Sequence, residues 1–437
     1  MNSFPVTALR EFLSRREYLW GLLLLCFMQF SLLTSQTGMD FFAGAMLLTS
    51  LYWTAKYYKM PWSWPRLGLW WLWGSWLFVI GLGLALNPLS SSWQDLFFEF
   101  RWILDFYVFI LFWSVFGENP KVLKFFAVAL ALCSLVAVVI YALGYNPLAE
   151  PFSQRAINLQ NFANWRAGGI FNHSMPLAHT YGPLLMVFIG VLLAHWRTKQ
   201  RLSPWIYAAF ILTAATILLT FTRGVWIGVA SGLLVMGYLI NRKWGILLTA
   251  GLIGLGLIGF ASSQKIRERI TTTINLSVRG DSERLTLWKT NWEMFKDRPL
   301  LGAGYGQNRA RLREYYDRMG VPAGYFEGHA HNQYMHFLAG TGILGLLCYL
   351  YFMFFTLRTA YLAYRKATSP LQMGIGLGGI GAMICFYIGG LTEANFSIGK
   401  NRFMILFIIA WTTSIYLQQL YLSSGRSASL RGDKHSS

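Results

Sequence analysis

Apolar residues in this chain come in long unbroken runs, and polar residues fall in the short intervals between them, with one exception at 263–331. Runs of about 18 residues or more have the length an α-helix needs to cross a bilayer. The pattern predicts spans near 18–35, 40–56, 67–86, 98–116, 122–145, 174–196, 203–222, 224–240, 244–262, 332–357, 371–392 and 402–421. In hydrocarbon every backbone N–H and C=O must be paired within its own segment, so these runs must be helices. The expected fold class is all-α, a polytopic membrane protein of about twelve transmembrane helices. Residues 1–262 hold helices 1–9, 263–331 a large loop with short helices, 332–421 helices 10–12, and 422–437 a tail.

Inside the loop, Leu285, Trp288, Trp292 and Phe295 recur at helical spacing, with Asp281 or Ser282 as cap and Pro299 as boundary. A second helix is expected from about Asn308 to Met319, stopped by Gly320. Amphipathic helices rich in Trp and Arg suit an interface beside lipid headgroups, and equally an ordinary packed cap.

Composition agrees with this reading. Of 437 residues 55% are hydrophobic and 13% charged, which excludes a string of soluble domains. The net charge of +19 is a matter of topology and not of nucleic-acid binding. One alternating set of ends carries Arg10/Arg15/Arg16, Lys56/Lys59/Arg66, Lys121/Lys124, Arg197/Lys199/Arg201, Arg242/Lys243, Arg358/Arg365/Lys366 and Arg426/Arg431/Lys434. In the opposite set, 36–39 and 87–97 have no basic residue and 146–173 has only Arg155 and Arg166. The positive-inside rule then places both termini in the cytoplasm and the long loop outside, since long loops cross regardless of charge. The N-terminal run lacks a cleavage site and reads as an uncleaved first span. Cys26, Cys133, Cys348 and Cys385 all lie in apolar runs without C-x-x-C spacing, so neither disulfides nor a zinc site is expected.

The charges of the loop therefore need another explanation. Arg223, in L-T-F-T-R-G-V-W, sits between two spans with almost no loop. A charge at mid-membrane costs roughly 2.5–3.5 kcal/mol, so it either snorkels at the edge or binds an anion such as a lipid phosphate. Guanidinium forks fit phosphate oxygens and keep their charge. Arg284 and Arg279 at the start of the first loop helix are further candidates for an anion, with pairing to Asp281 or Glu283 as the alternative. Arg166 before the sixth span is another.

The stretch G-H-A-H-N-Q-Y-M-H raises a metal reading through His329, His331 and His336, but its spacing is poor on a helix and no metal is expected. A histidine at the mouth of a span is better suited to take a proton, and His331 directly precedes the tenth span. His173, His179 and His336 read as structural. G-A-G-Y-G at 302–306 follows a helix signal instead of a strand, so it reads as a tight turn and not a dinucleotide loop. Arg101 and Asp105, spaced i, i+4 with Glu99 nearby, suggest an intramembrane ion pair. S-Q-T-G-M-D has no paired carboxylates for a divalent cation, so transfer chemistry here would be metal-free and without a cofactor.

T-R-G-V-W-I-G, R-G-D-S-E-R-L-T-L-W, R-P-L-L-G-A-G-Y-G, H-A-H-N-Q-Y-M-H-F-L-A-G-T-G-I-L-G-L and L-T-E-A-N-F, in this order, resemble the O-antigen ligase and polymerase superfamily, most sharply over about 160–400. The resemblance implies a metal-independent, inverting glycosyltransferase of the bacterial inner membrane, with its site on the periplasmic face. It would move a glycan from undecaprenyl pyrophosphate to lipid A–core oligosaccharide. A polymerase would instead join lipid-linked repeat units. By the same resemblance Arg223 and Arg284 match pyrophosphate-binding arginines and His331 an essential histidine, with Arg279 and His329 as alternates. A small-solute, bicarbonate-type transporter is the reading from another class. It would call for internal repeats and charges within broken helices, whereas the charge here clusters at one face.

Overall fold

The computed structural model describes residues 9, 13–57, 69–86, 92–148, 166–171, 173–262, 264, 279–322, 324 and 328–432. Among them are fourteen α-helices and no strand. The first nine are α1 (Arg15–Thr34), α2 (Gln36–Lys56), α3 (Leu69–Leu86), α4 (Ser92–Phe116), α5 (Pro120–Leu143), α6 (Ser174–Thr198), α7 (Pro204–Leu219), α8 (Arg223–Ile240) and α9 (Arg242–Ser262). The loop holds α10 (Arg279–Asp297) and α11 (Asn308–Arg318), and α12 (Gln333–Arg365), α13 (Pro370–Gly389) and α14 (Gly399–Gly432) follow. One helix falls on each predicted span. Seven are long and apolar enough to cross a membrane (α1, α5, α6, α8, α12, α13 and the Gly399–Leu420 part of α14), and Trp71–Leu86 and Pro204–Leu219 are shorter apolar helices. The protein is an all-α polytopic membrane protein.

Helix ends follow local chemistry. Proline opens α5 and α13 behind a side-chain cap: Asn119 Oδ1 accepts from Lys121 N at 3.0 Å and Ser369 Oγ from Gln372 N at 3.1 Å. The loop expected at 36–39 shrinks to Ser35 alone. Its N–H donates to Ser31 O at 2.9 Å, ending α1, and its Oγ accepts from Gly38 N at 3.1 Å, starting α2. The first loop helix begins earlier than expected, so Asp281 and Ser282 fall in the first turn of α10 instead of capping it. α11 ends at Arg318, and Gly320 with φ +65° turns the chain away.

Small residues bring α6 and α13 backbone to backbone; a Cβ on Gly190 would lie 2.4 Å from Gly378 N. Between apolar helices in lipid such close packing is a principal attraction. α4 meets α14 through Trp113 and Trp411, stacked at 4.0 Å. Their indoles donate to Phe407 O at 3.0 Å and Gly117 O at 3.2 Å, so neither buried N–H is unpaired.

α12 is interrupted at Gly342, whose φ of +64° and ψ of −167° are not helical. The R-P-L-L-G-A-G-Y-G segment fills the break. Ile343 N donates to Pro299 O at 2.8 Å, Ala303 N to Ala339 O at 2.8 Å and Gly304 N to Gly340 O at 3.0 Å. A Cβ on Gly342 would lie 2.3 Å from Leu300 C. Irregular backbone is tolerated at membrane depth where protein covers it, and here 299–304 does so. The segment is thus the tight turn between the loop helices. The loop packs its own small core on α12 through Leu287, Met294, Leu312, Tyr315, Tyr316 and Ala339.

Candidate active site

Up-and-down alternation brings the N-termini of α6, α8, α12 and α14 to the end of the bundle where α13 finishes, and the link from α13 to α14 is the hub. Gln333, the first residue of α12, donates its N–H to Gly390 O at 2.7 Å. Its Oε1 accepts from Phe396 N at 2.9 Å and Ser397 N at 3.2 Å. Asn332 caps α12, accepting from Tyr334 N at 3.0 Å and Met335 N at 3.1 Å, and its Nδ2 donates to Leu391 O at 3.1 Å. Asn395 Nδ2 donates to Phe386 O at 2.7 Å. Side chains thus satisfy the irregular backbone and hold it rigid.

That link presents Glu393, 2% exposed, to the histidine stretch. His331 Nδ1 lies 3.0 Å from Glu393 Oε2, His329 Nε2 is hydrogen-bonded to Oε1, and Ala394 N donates to Oε1 at 3.1 Å. The two imidazole rings are 4.3 Å apart. Burial pushes the Glu393 carboxyl up, but the hydrogen bonds and charge of His329 and His331 outweigh it and hold the carboxyl well below the usual range. An ionised carboxylate only accepts, so the Nδ1 of His331 is the donor, and in a neutral ring Nε2 is then the acceptor-type nitrogen. His331 has φ +46°, uncommon for a non-glycine residue, immediately before the Asn332 cap.

The segments that carry the arginines reach this end of the bundle through separate contacts. Trp288 of α10 donates its indole N–H to Ala330 O at 2.9 Å, between the two histidines. Arg284, half-buried, stands four residues earlier on the same side of α10. Arg223 is the first residue of α8, and the next residue, Gly224, is pressed so closely on Thr392 that a Cβ would lie 1.9 Å from its Oγ1. Arg223 and Glu393 are therefore each one residue from this contact. Arg166 adjoins Ala167, whose N–H donates to Leu219 O at 2.9 Å at the end of α7. The side chain of Arg279 lies outside the described residues.

The structure gives the other candidate residues their partners. Arg101 pairs chiefly with Asp40 at 2.6 Å, whereas Asp105 on its own helix stands at 3.7 Å. His336 is buried within α12, so the third polar neighbour of His329 and His331 is Glu393 and not a histidine. One ligand-type atom from each of His329, His331 and Glu393 lies within 4.8 Å of the others, the composition of a cation site as well as of a hydrogen-bonded triad. The described contacts use those atoms for hydrogen bonds. His173 caps α6 by accepting from Met175 N at 3.2 Å, and His179, buried, has Nδ1 3.3 Å from Asn395 Nδ2.

Two supports were not anticipated from the residues. Glu393 stood in the motif L-T-E-A-N-F without a role. Arg402 donates to Glu99 Oε1 at 2.6 Å, to Phe396 O at 2.7 Å and to Tyr305 Oη at 3.4 Å. Glu99 also accepts from the indoles of Trp76 and Trp102. This buried pair ties the 395–397 turn and the 302–306 turn to α3, α4 and α14. The available signal was one unmatched charge in each of two apolar runs, which calls for a partner.

Fold and cluster define a multi-helix membrane protein with a buried carboxylate shared by two histidines where the helix ends meet. Residues 208–350, from α7 to the middle of α12, match the family model described as O-Antigen ligase. This match, over about a third of the chain, supports the O-antigen ligase superfamily, whose members are membrane glycosyltransferase-like enzymes that work on lipid-linked glycans. The matched segment includes Arg223, Arg284, His329 and His331 but not Arg166 or Glu393. A search of curated proteins found no match.

Proposed function

We propose that the protein is an O-antigen ligase of the bacterial inner membrane. It transfers a glycan from undecaprenyl pyrophosphate to a sugar hydroxyl of lipid A–core on the periplasmic face, without a metal and with inversion. The observation that carries this reading is the buried Glu393 shared by His331 and His329. It gives His331 a fixed tautomer and an anion to stabilise the imidazolium that forms when the ring takes a proton. In the reaction the acceptor oxygen attacks C1 of the donor glycan and the C1–O bond to pyrophosphate breaks. The hydroxyl proton passes to Nε2 of His331. The departing pyrophosphate gains negative charge, and Arg223 and Arg284, with Arg279 as alternate, stabilise it more in the transition state than in the ground state.

The test is the lipopolysaccharide of a deletion strain complemented with wild type or His331→Ala. Lipid A–core without attached glycan in the deletion and in His331→Ala supports the ligase. A single repeat on core points to a polymerase, and an unchanged profile with altered solute uptake overturns the transferase reading. Purified wild-type protein should keep its activity in EDTA; loss on chelation would overturn the metal-free mechanism and give the His329–His331–Glu393 group to a cation.

A further inference from the structure

At the opposite end of the helix pair α1/α2 from the candidate active site lies an open groove of about 400 Å³ between the start of α1 and the last turns of α2. Trp53, fully buried, is part of its lining, with Trp20, Leu48 and Tyr52, which are 54%, 69% and 52% exposed. The polar atoms of these walls are occupied by the protein itself. Trp20 Nε1 donates to Thr49 Oγ1 at 3.2 Å, and Thr49 in turn donates to Ala45 O at 2.8 Å. Glu17 is likewise taken: Oε1 by Lys56 at 2.7 Å, Oε2 by the Tyr57 hydroxyl at 3.0 Å and by Ser14 N at 2.9 Å. Among the described residues, what remains at the rim is the guanidinium of Arg16, exposed like the adjacent Arg15.

An apolar groove open to the surroundings, with a cation at its mouth whose neighbouring carboxylate is already paired, fits an amphiphile with a negative head. We propose that this groove binds an anionic phospholipid, the phosphate on Arg16 and an acyl chain along Trp20, Leu48 and Tyr52. Arginine is the residue suited to phosphate oxygens, and interfacial Trp and Tyr suit the boundary between headgroup and chain. The site is separate from the transfer chemistry and does not rest on the proposed function.

Native mass spectrometry of the full chain in detergent, given equal amounts of phosphatidylglycerol and phosphatidylcholine with identical acyl chains, tests it. Wild type should retain phosphatidylglycerol in preference. Arg16→Gln should lower that retention about fivefold, the size of one surface cation's attraction to an anionic lipid, and leave phosphatidylcholine unchanged. Leu48→Trp, which fills the groove without altering charge, should lower both. Arg242→Gln, an exposed basic residue at the start of α9, serves as control and should change neither. Equal retention of the two lipids by wild type, no effect of Arg16→Gln or Leu48→Trp, or an Arg242→Gln effect as large as that of Arg16→Gln would each overturn the proposal.

Discussion

Replacing Glu393 by Gln keeps the shape of the side chain and removes its charge, and the surroundings decide how the amide lies. Ala394 N donates to Oε1 at 3.1 Å, so the amide oxygen stays at that position and the NH₂ takes the place of Oε2. Oε2 is the atom 3.0 Å from His331 Nδ1. An NH₂ there forces Nδ1 to accept and moves the ring proton to Nε2, the nitrogen needed as base. Losing the charge alone removes a charge-assisted hydrogen bond of about 1.5–3 kcal/mol, or about 10- to 150-fold in rate. The wrong tautomer adds to this; the same acid-to-amide change in a Ser–His–Asp triad lowers kcat about ten-thousand-fold. The expected fall in kcat for glycan transfer in proteoliposomes therefore lies between about a hundredfold and ten-thousand-fold, with KM for the lipid-linked donor nearly unchanged because the arginines are untouched. A variant that transfers within about threefold of wild type would refute Glu393 as the group that orients His331.

The same carboxylate has a stability signature. Its folded-state affinity for protons is depressed by the two imidazoles, so the unfolded chain binds the proton more readily. Its stabilising contribution is therefore fully present above the ordinary Glu range near 4.3 and is lost as pH falls below it. Melting followed by tryptophan fluorescence should show a steeper loss of wild-type stability below about pH 4.3 than Glu393→Gln shows, and parallel curves would contradict the assignment.

Two further changes test the scaffold. Trp288→Phe removes the bond to Ala330 O, a neutral hydrogen bond of about 1 kcal/mol, and should lower kcat/KM for transfer about fivefold without altering the melting temperature much. An unchanged kcat/KM would mean that α10 is not positioned through this contact. Gly342→Ala puts a side chain into a backbone conformation essentially reserved for glycine, which costs about 1–3 kcal/mol before the clash with Leu300, and should lower the melting temperature and the yield of folded protein. Wild-type stability in that variant would show that α12 has an alternative way through the break.

Most of the helical layout can be read from the residues because its cause is local: an apolar run in lipid has no alternative to a helix. α10 and α11 were legible for the same reason, through apolar positions at helical spacing. What could not be read depends on partners far away in the chain. Arg101 has Asp105 at the right spacing, yet its close partner is Asp40, 61 residues distant, because α2 and α4 lie side by side. Glu393 reaches His331 and His329 across 62 and 64 residues. Nothing in L-T-E-A-N-F marks that glutamate as a histidine partner until α12 and α13 are placed together. The break at Gly342 was equally hidden, because glycines are common in membrane helices and only the docking of 299–304 shows which one is not helical.

The distribution of hydrogen bonds separates the two halves of the proposed chemistry. Glu393 and its link are held by Gln333, Asn332, Asn395 and Arg402, all bonded to backbone of the 386–397 region. A general base needs this, since a small misplacement of His331 relative to the attacking hydroxyl is costly in rate. The described polar contacts of the helix that carries Arg284 include Trp288 donating to Ala330 O and Asn291 Oδ1 accepting from Asn308 Nδ2, which also donates to His336 O. Its apolar contact is a small cluster around Leu287 and Met294, apart from the main core. Charge at a phosphate acts over distance and tolerates small shifts, so the anion-holding part can rest on a docked loop while the proton-moving part is fixed to the bundle. In the proposed reaction two bulky lipid-linked substrates would meet at one point, and a loop core separate from the main core would let α10 and α11 yield to them without disturbing the tautomer of His331.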